Sequence, residues 1–130
     1  MLLGIRTDTG TAQFYLCDQH GNVVHNTTWE ADRTLAHLLI KKLTEFVDEA
    51  GYSLGDLTGL FVFSGPGSYT GLRIGLTVMN TLAYSLTIPI VGATGDSWVK
   101  TATNRLVDGD DDQVVLPDYG GDVHITRPVK

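Results

Sequence analysis

Short hydrophobic runs separated by polar turns open the chain and predict three antiparallel β-strands. The first two runs cover residues 2–5 and 12–17, and the polar residues 6–11 join them. A His-Gly-Asn turn at residues 20–22 precedes Val23 and Val24, which favours a hairpin into a third strand. The chain therefore begins with three consecutive strands.

From Asp32 onward the hydrophobic residues recur every three or four positions, which is the period of an amphipathic helix. Gly51 follows the last of them and predicts the end of the helix. The residues on the predicted apolar face are Leu35, Leu38, Leu39, Leu43, Phe46, Val47 and Ala50.

A second helix is predicted between two short buried strands. Residues 59–63 form an apolar run with aromatic and β-branched side chains, and residues 89–92 form another. Residues 70–86 between them carry apolar side chains at helical spacing, so the three segments read as a βαβ crossover. This helix has more apolar residues than one face can hold, which predicts burial on two sides, either against the first helix or against another chain.

The remaining residues predict a third helix and a short tail. Residues 96–106 read as a helix, and the acidic residues 108–112 read as a solvated loop, since their spacing does not match a calcium loop. Residues 114–116 and 123–126 could pair as a terminal hairpin. The predicted fold class is α/β with a mixed sheet and the order βββαβαβα.

Length, composition and charge narrow the class of protein. The 130 residues suit one lobe that buries about two thirds of its unfolded surface, and 42% hydrophobic with 18% charged residues is ordinary for a globular domain. A formal net charge of −6 disfavours direct, tight binding to a phosphate backbone. The single Cys17 and the lack of a long apolar run predict a reducing, cytoplasmic setting without membrane contact.

The run SGPGSYTGLRIG at residues 64–75 carries the strongest functional signal. Glycine tolerates positive φ and proline fixes φ, so this turn can expose backbone N–H groups before a helix that a serine or threonine caps. Such a turn can hold an anion or let another chain approach, and a capped connection without a ligand is the plainer interpretation. The candidate residues are Gly65, Gly67, Ser68, Thr70, Gly71 and Arg73.

Arg73 would lie in the first helical turn, where a cation opposes the positive end of the helix macrodipole. An anionic ligand or a partner's carboxylate would offset that placement, and a solvent-facing arginine is the alternative.

This run resembles the GPGS(F/Y)TG(L/V)R signature of the TsaB (YeaZ) family, which takes part in threonylcarbamoyladenosine modification of tRNA. Residues 5–16 resemble the family's opening strand and turn, and residues 72–92 resemble the helix and strand after the signature. The resemblance implies one lobe of the actin-like/Hsp70-like ATPase (ribonuclease H-like) fold. We expect this lobe at residues 1–107 and a short tail or hairpin at 108–130, as in a short member that lacks most of the second lobe.

One position departs from the family pattern. The gapless alignment places Arg6 where the family has an aspartate at the end of its first strand, and Asp8 where it has a serine. An acidic residue there can help to place the metal ion of a nucleotide, which a cation cannot do. A competing register would read residues 8–11 as the D-x-G-T phosphate turn of the wider ATPase fold.

The resemblance implies a non-catalytic subunit that binds and organises a TsaD-type transferase. The TsaE-type ATPase and tRNA would be reached only through the complex, and a homodimer is also implied by the family. We expect no cofactor of its own, with a nucleotide at a shared interface left open. The helix residues implied to contact the partner are Leu35, Leu39, Leu72, Leu76, Met79 and Ala83.

Two other functions stay open at this stage. Residues 8–11 and 65–71 could be the phosphate turns of a nucleotide-binding ATPase-fold enzyme, or the chain could be an orphan homodimeric interaction protein. Catalytic and metal-binding residues are not predicted. The four histidines lack metal-site spacing, and the hydroxyl residues of the glycine run lack the G-x-S-x-G context of a nucleophile.

Overall fold

The computed structural model describes residues 1–67 and 69–118, except for the side chain of Tyr69. In these residues, five strands and three α-helices follow one another in the order βββαβαβα, which confirms the predicted order. The strands are β1 (Leu2–Arg6), β2 (Thr11–Cys17), β3 (Val23–Glu30), β4 (Gly59–Phe63) and β5 (Ile90–Ala93). The helices are α1 (Leu35–Glu49), α2 (Tyr69–Leu86) and α3 (Trp98–Val107).

The strands form one mixed sheet in the order β3-β2-β1-β4-β5. The pairs β1–β2 and β2–β3 are antiparallel, whereas β1–β4 and β4–β5 are parallel. The three consecutive strands thus make one half of the sheet, and the βαβ crossover adds the other half. β5 and β3 are the two edge strands.

Helices cover both faces of the sheet because the buried strands are apolar on both sides. α1 and α2 pack on one face and α3 packs on the other. Trp98 of α3 contacts Tyr15, Phe61 and Phe63 at ring-centroid distances of 5.5 to 5.7 Å. Strand residues towards α1 and α2 are Leu3, Ile5, Leu60, Val62 and Ile90, and those towards α3 are Leu2, Phe61, Phe63 and Val91.

Two predictions for the C-terminal part need correction. Residues 114–116 form no strand, and their predicted hairpin partner at 123–126 lies outside the described residues. The acidic residues 108–112 are not simply a solvated loop, because Asp111 and Asp112 accept hydrogen bonds from backbone N–H groups of β5. Sequence periodicity carries no information on such a pairing between a loop and a strand edge.

No helix among residues 1–67 and 69–118 is both long and apolar enough to cross a membrane.

Candidate functional site

The candidate site lies where the parallel strands β1, β4 and β5 end at one edge of the sheet, which we call the carboxyl edge. In open α/β sheets, ligands commonly bind at this edge, outside the carboxyl ends of the strands. Here it is formed by residues 6–8 at the end of β1, by residues 64–67 after β4 and by the first turn of α2. The glycine run therefore lies directly beside the turn that contains Arg6 and Asp8.

Arg6 and Asp8 form a bidentate ion pair at this edge. Arg6 Nε donates to Asp8 Oδ1 at 2.7 Å and Arg6 Nη2 donates to Asp8 Oδ2 at 3.1 Å. The side chain of Asp8 is only 6% exposed and that of Arg6 is 25% exposed. The guanidinium also lies over the ring of Phe63, 3.7 Å from its centroid, as in a cation–π contact. Both carboxylate oxygens of Asp8 are thus engaged by a cation of the same chain.

The glycine turn packs directly on the β1–β2 turn. A Cβ atom at Gly67 would lie 2.5 Å from Cβ of Asp8, so only glycine lets the two turns approach this closely. Thr7 Oγ1 donates to the carbonyl oxygen of Gly71 in the first turn of α2, at 2.8 Å. The side chain of Thr7 also fills the space in front of Gly75. These contacts use the glycines of the signature to fasten α2 to β1.

Asp118 closes the same edge from the other side. The N–H of Asp118 donates to the carbonyl oxygen of Ser64 at 2.7 Å. The N–H of Ser64 in turn donates to the carbonyl oxygen of Ala93 at 2.9 Å. Gly65 has a φ of +112°, and a Cβ atom there would lie 2.6 Å from the carbonyl oxygen of Asp118. The chain beyond α3 therefore returns to the glycine turn.

These residues do not fit a magnesium–nucleotide group of the kind that the wider fold suggests. Mg²⁺ requires anionic oxygen ligands, but the carboxylate of Asp8 is paired with Arg6, and Gly67 packs against its side chain. No group of three or more His, Cys, Asp or Glu side chains lies within metal-binding reach in the described part of the chain. β1 also ends at Arg6, as the gapless register predicts, and not two residues later.

The six residues predicted for an anion or an interface have different environments. Gly65 is buried and Gly67 is exposed, and Ser68 lies outside the described residues. Thr70 is exposed but lies inside α2, so it cannot be the cap before the helix. Gly71 accepts the hydrogen bond from Thr7.

Arg73 is exposed on α2 and lines a pocket of about 440 Å³. Leu76 and Thr77 of the same helix and residues 115–117 of the tail also line this pocket. The predicted function of the set as an anion site or an interface stays a prediction.

The predicted partner residues on the helices are largely buried within the lobe. Leu35, Leu39, Leu72, Leu76, Met79 and Ala83 are all 5% exposed or less and belong to the lobe's own core. Their helical spacing marks the face that packs on the sheet, and their role as a contact surface stays a prediction. The second burial predicted for α2 occurs partly inside the lobe, since α2 also packs against α1.

Exposed apolar side chains lie beside those residues, on the outer sides of α1 and α2. Ile40 of α1 is 65% exposed and Tyr84 of α2 is 89% exposed. An open, mainly apolar groove of about 350 Å³ lies between the outer sides of α1 and α2, and we call it the helix groove. Its lining residues are Ile40, Leu43, Thr44, Leu54, Thr77, Val78, Thr81, Leu82 and Ser85. The excess of apolar residues in α2 was the sequence signal for this surface, but it did not identify the exposed side chains.

Comparisons with known proteins agree with this architecture. The family model described as TsaD, tRNA N6-adenosine threonylcarbamoyltransferase, matches residues 21–116. The tRNA threonylcarbamoyladenosine biosynthesis protein TsaB of Bacillus subtilis is 50% identical over 54 residues, covering 42% of this chain and 23% of that protein. A tRNA N6-adenosine threonylcarbamoyltransferase of Syntrophus aciditrophicus is 36% identical over 62 residues, covering 48% of this chain and 18% of that protein.

The solved structure of YeaZ from Pseudomonas aeruginosa superposes with a TM-score of 0.65 at 28% identity, over 72% of this chain and 43% of that one. The chain thus spans less than half the length of each of these relatives. The family model covers well over half of the chain, and the chain therefore belongs to the TsaD family and is TsaB/YeaZ-like within it.

Proposed function

We propose that this chain is a non-catalytic, TsaB-type subunit that binds and organises a TsaD-type transferase in threonylcarbamoyladenosine modification of tRNA. The observation that carries the proposal is the mainly apolar helix groove, with the strongly exposed Ile40 in its lining. Large apolar and aromatic side chains grouped around a concave surface are typical of protein interfaces. We propose this groove as the contact surface, beside the six predicted helix residues.

The closed carboxyl edge supports a role in assembly. Where a nucleotide-binding relative needs a free carboxylate and an open turn, this chain has an ion pair and tightly packed glycines. The signature then serves to fix the start of α2, and thereby one wall of the helix groove. A subunit that presents a rigid helix pair loses less conformational entropy when it binds.

The charge of the chain supports tRNA contact only through the complex. A formal net charge of −6 repels a phosphate backbone, so the transferase would have to supply the cationic surface. We also propose that a TsaE-type ATPase is reached through the same complex, in the cytoplasm. The helix groove could equally bind a second copy of this chain, with a nucleotide held at either shared interface. The division into a lobe at residues 1–107 and a tail at 108–130 belongs to the same proposal.

Binding to the cognate TsaD-type protein tests the proposal, with Ile40→Glu as the variant and Val107→Glu as its control. Val107 is 51% exposed at the end of α3, on the opposite face of the sheet, and the control adds the same charge. We expect Ile40→Glu to weaken binding about tenfold or more, as for a residue at the centre of an interface, and Val107→Glu to bind as the wild type does.

Calorimetry on the purified pair measures both constants. Lack of any complex would refute the proposal, and so would equal affinities of the two variants. In cells that lack this chain, the level of modified tRNA should fall and should return only with a variant that binds.

A further inference from the structure

The outer edge of β5 is fully covered by the chain itself. β5 is an edge strand, and the carbonyl groups of Pro89 and Ala93 accept hydrogen bonds from Leu60 of β4 and from Ser64, the residue after β4. Because hydrogen-bonding groups alternate along a strand, the N–H and C=O groups of Ile90 and Gly92 point away from the sheet. In most proteins such a row is a template for pairing with another strand.

Each of these four outward groups has a hydrogen-bond partner in Arg105 or in residues 111–112. The N–H of Ile90 donates to Asp111 Oδ1 at 3.2 Å, and its carbonyl accepts from the N–H of Asp112 at 2.8 Å. The N–H of Gly92 donates to Asp112 Oδ2 at 2.9 Å, and its carbonyl accepts from Arg105 Nη1 at 3.1 Å. The pattern is that of a neighbouring strand, built mainly from side chains.

Arg105 of α3 holds the acidic segment in this position. Its Nη2 donates to Asp112 Oδ1 at 2.6 Å and its Nη1 donates to Asp112 Oδ2 at 3.0 Å. Its Nε donates to Asp110 Oδ2 at 3.0 Å. One guanidinium therefore ties two carboxylates and a strand carbonyl together, with the planar geometry that favours arginine.

Val115 anchors the far end of the segment. Its N–H donates to Asn80 Oδ1 at 2.8 Å and its carbonyl accepts from Asn80 Nδ2 at 2.9 Å. Its buried side chain lies over Gly92, where a Cβ atom would come within 2.6 Å of Val115 Cγ1. Residues 110–115 are thus fixed at both ends, and we call them the edge strap.

We propose that the edge strap prevents β5 from pairing with a second copy of this chain, and that Arg105 holds the strap in place. The edge beneath is apolar and β-branched, with Ile90 and Val91 buried, which is the composition that aggregates when an edge opens. A second copy is the occupant because its opened β5 is the same strand, so two copies can pair antiparallel about a two-fold axis. This inference is independent of the helix groove, which lies on the other helices.

The double variant Asp111→Ala/Asp112→Ala of the full chain removes the side-chain acceptors, and Asp48→Ala/Asp108→Ala is its control. Asp48 and Asp108 are exposed, and among residues 1–67 and 69–118 their side chains have no hydrogen bond or ion pair. Both variants remove two negative charges. Exchange of the Ile90 and Gly92 amides is followed by NMR, and association is followed by sedimentation over a range of concentrations. At low concentration we expect these two amides to exchange about tenfold faster or more in the first variant only.

As the concentration rises, the first variant should form dimers, and the same two amides should be protected again because the new strand takes them. The variant Asp111→Asn/Asp112→Asn keeps acceptor oxygens and should stay monomeric. Wild-type exchange in the alanine variant, a monomer with exposed amides, or association without renewed protection would each overturn the proposal. Should the alanine variant fail to fold by circular dichroism, Arg105→Met is judged by the same two measurements.

Discussion

Replacing Arg6 by methionine tests whether the ion pair closes the carboxyl edge. Methionine keeps much of the length of the side chain but removes the cation. It leaves the carboxylate of Asp8, 6% exposed beneath Gly67, without its partner, and it removes the contact with the ring of Phe63. The loss should therefore come mainly from an unpaired, largely buried charge.

The size of the loss follows from how deeply the pair is buried. Breaking a fully buried pair costs about 3–5 kcal/mol, whereas exposed pairs contribute about 0–1 kcal/mol. Asp8 is close to the buried limit and Arg6, at 25% exposure, lies between the two. We expect the free energy of unfolding to fall by about 2–3 kcal/mol, between those limits.

Urea unfolding of matched variants measures this loss. Arg33 is exposed and its side chain has no hydrogen bond or ion pair within the described part of the chain. Arg33→Met therefore makes the same change of charge and should shift stability by less than about 0.5 kcal/mol. Adding Asp8→Asn to Arg6→Met removes the unpaired charge and should restore about half of the loss or more. Equal stabilities of Arg6→Met and Arg33→Met would refute the reasoning, and so would the absence of any rescue by Asp8→Asn.

Three further results are expected. Gly67→Ala should destabilise the fold by about 1–3 kcal/mol through overpacking on the buried carboxylate, whereas Gly55→Ala, whose Cβ would have ordinary contacts, should be near neutral in urea unfolding. Burial raises the pKa of Cys17 from 9.0 to about 11. The stability that comes from burying the neutral thiol is therefore complete below pH 9.0 and is lost as the pH rises to about 11. At pH 8 a thiol reagent should react much faster with the protein unfolded in urea than with the native protein. The hydrogen bonds from Arg105 lower the pKa of Asp112. The stability that comes from this ion pair is therefore present above the ordinary aspartate range and is lost as the pH falls through the lowered pKa. Arg105→Met should raise the pKa of Asp112 in an NMR titration of its carboxyl group.

The order of elements could be predicted because it depends on local periodicity. The apolar run at residues 59–63 coincides with β4, and the predicted second helix differs from α2 by one residue at its start. Gly51 ends the first helix with a φ of +89°, as expected for glycine after a helix. Hydrophobic period and turn chemistry act over a few residues, so a single sequence contains them.

The contacts that decide the site act over long separations, and periodicity does not encode them. Asp112 accepts a hydrogen bond from the N–H of Gly92, 20 residues away in the sequence. Asn80 accepts one from the N–H of Val115, 35 residues away. The acidic residues looked like a solvated loop because charge alone does not reveal a partner such as Arg105. Helical spacing likewise located the apolar face of α2 but not which side chains remain exposed, since that depends on where α1 packs.

The position of each polar cluster supports the proposal that this lobe acts by binding a partner. Arg6 takes up the one carboxylate that follows β1, Thr7 and the glycines fasten α2, and Asp118 covers the turn after β4. The pair with Arg6 takes up a carboxylate that a metal would otherwise need, and the other contacts hold the neighbouring turns together. Meanwhile the helix groove is an open, mainly apolar concavity with the exposed Ile40 in its lining. A family signature that fastens a helix can thus keep its sequence while the site beneath it closes, because packing requires the same glycines as phosphate binding does.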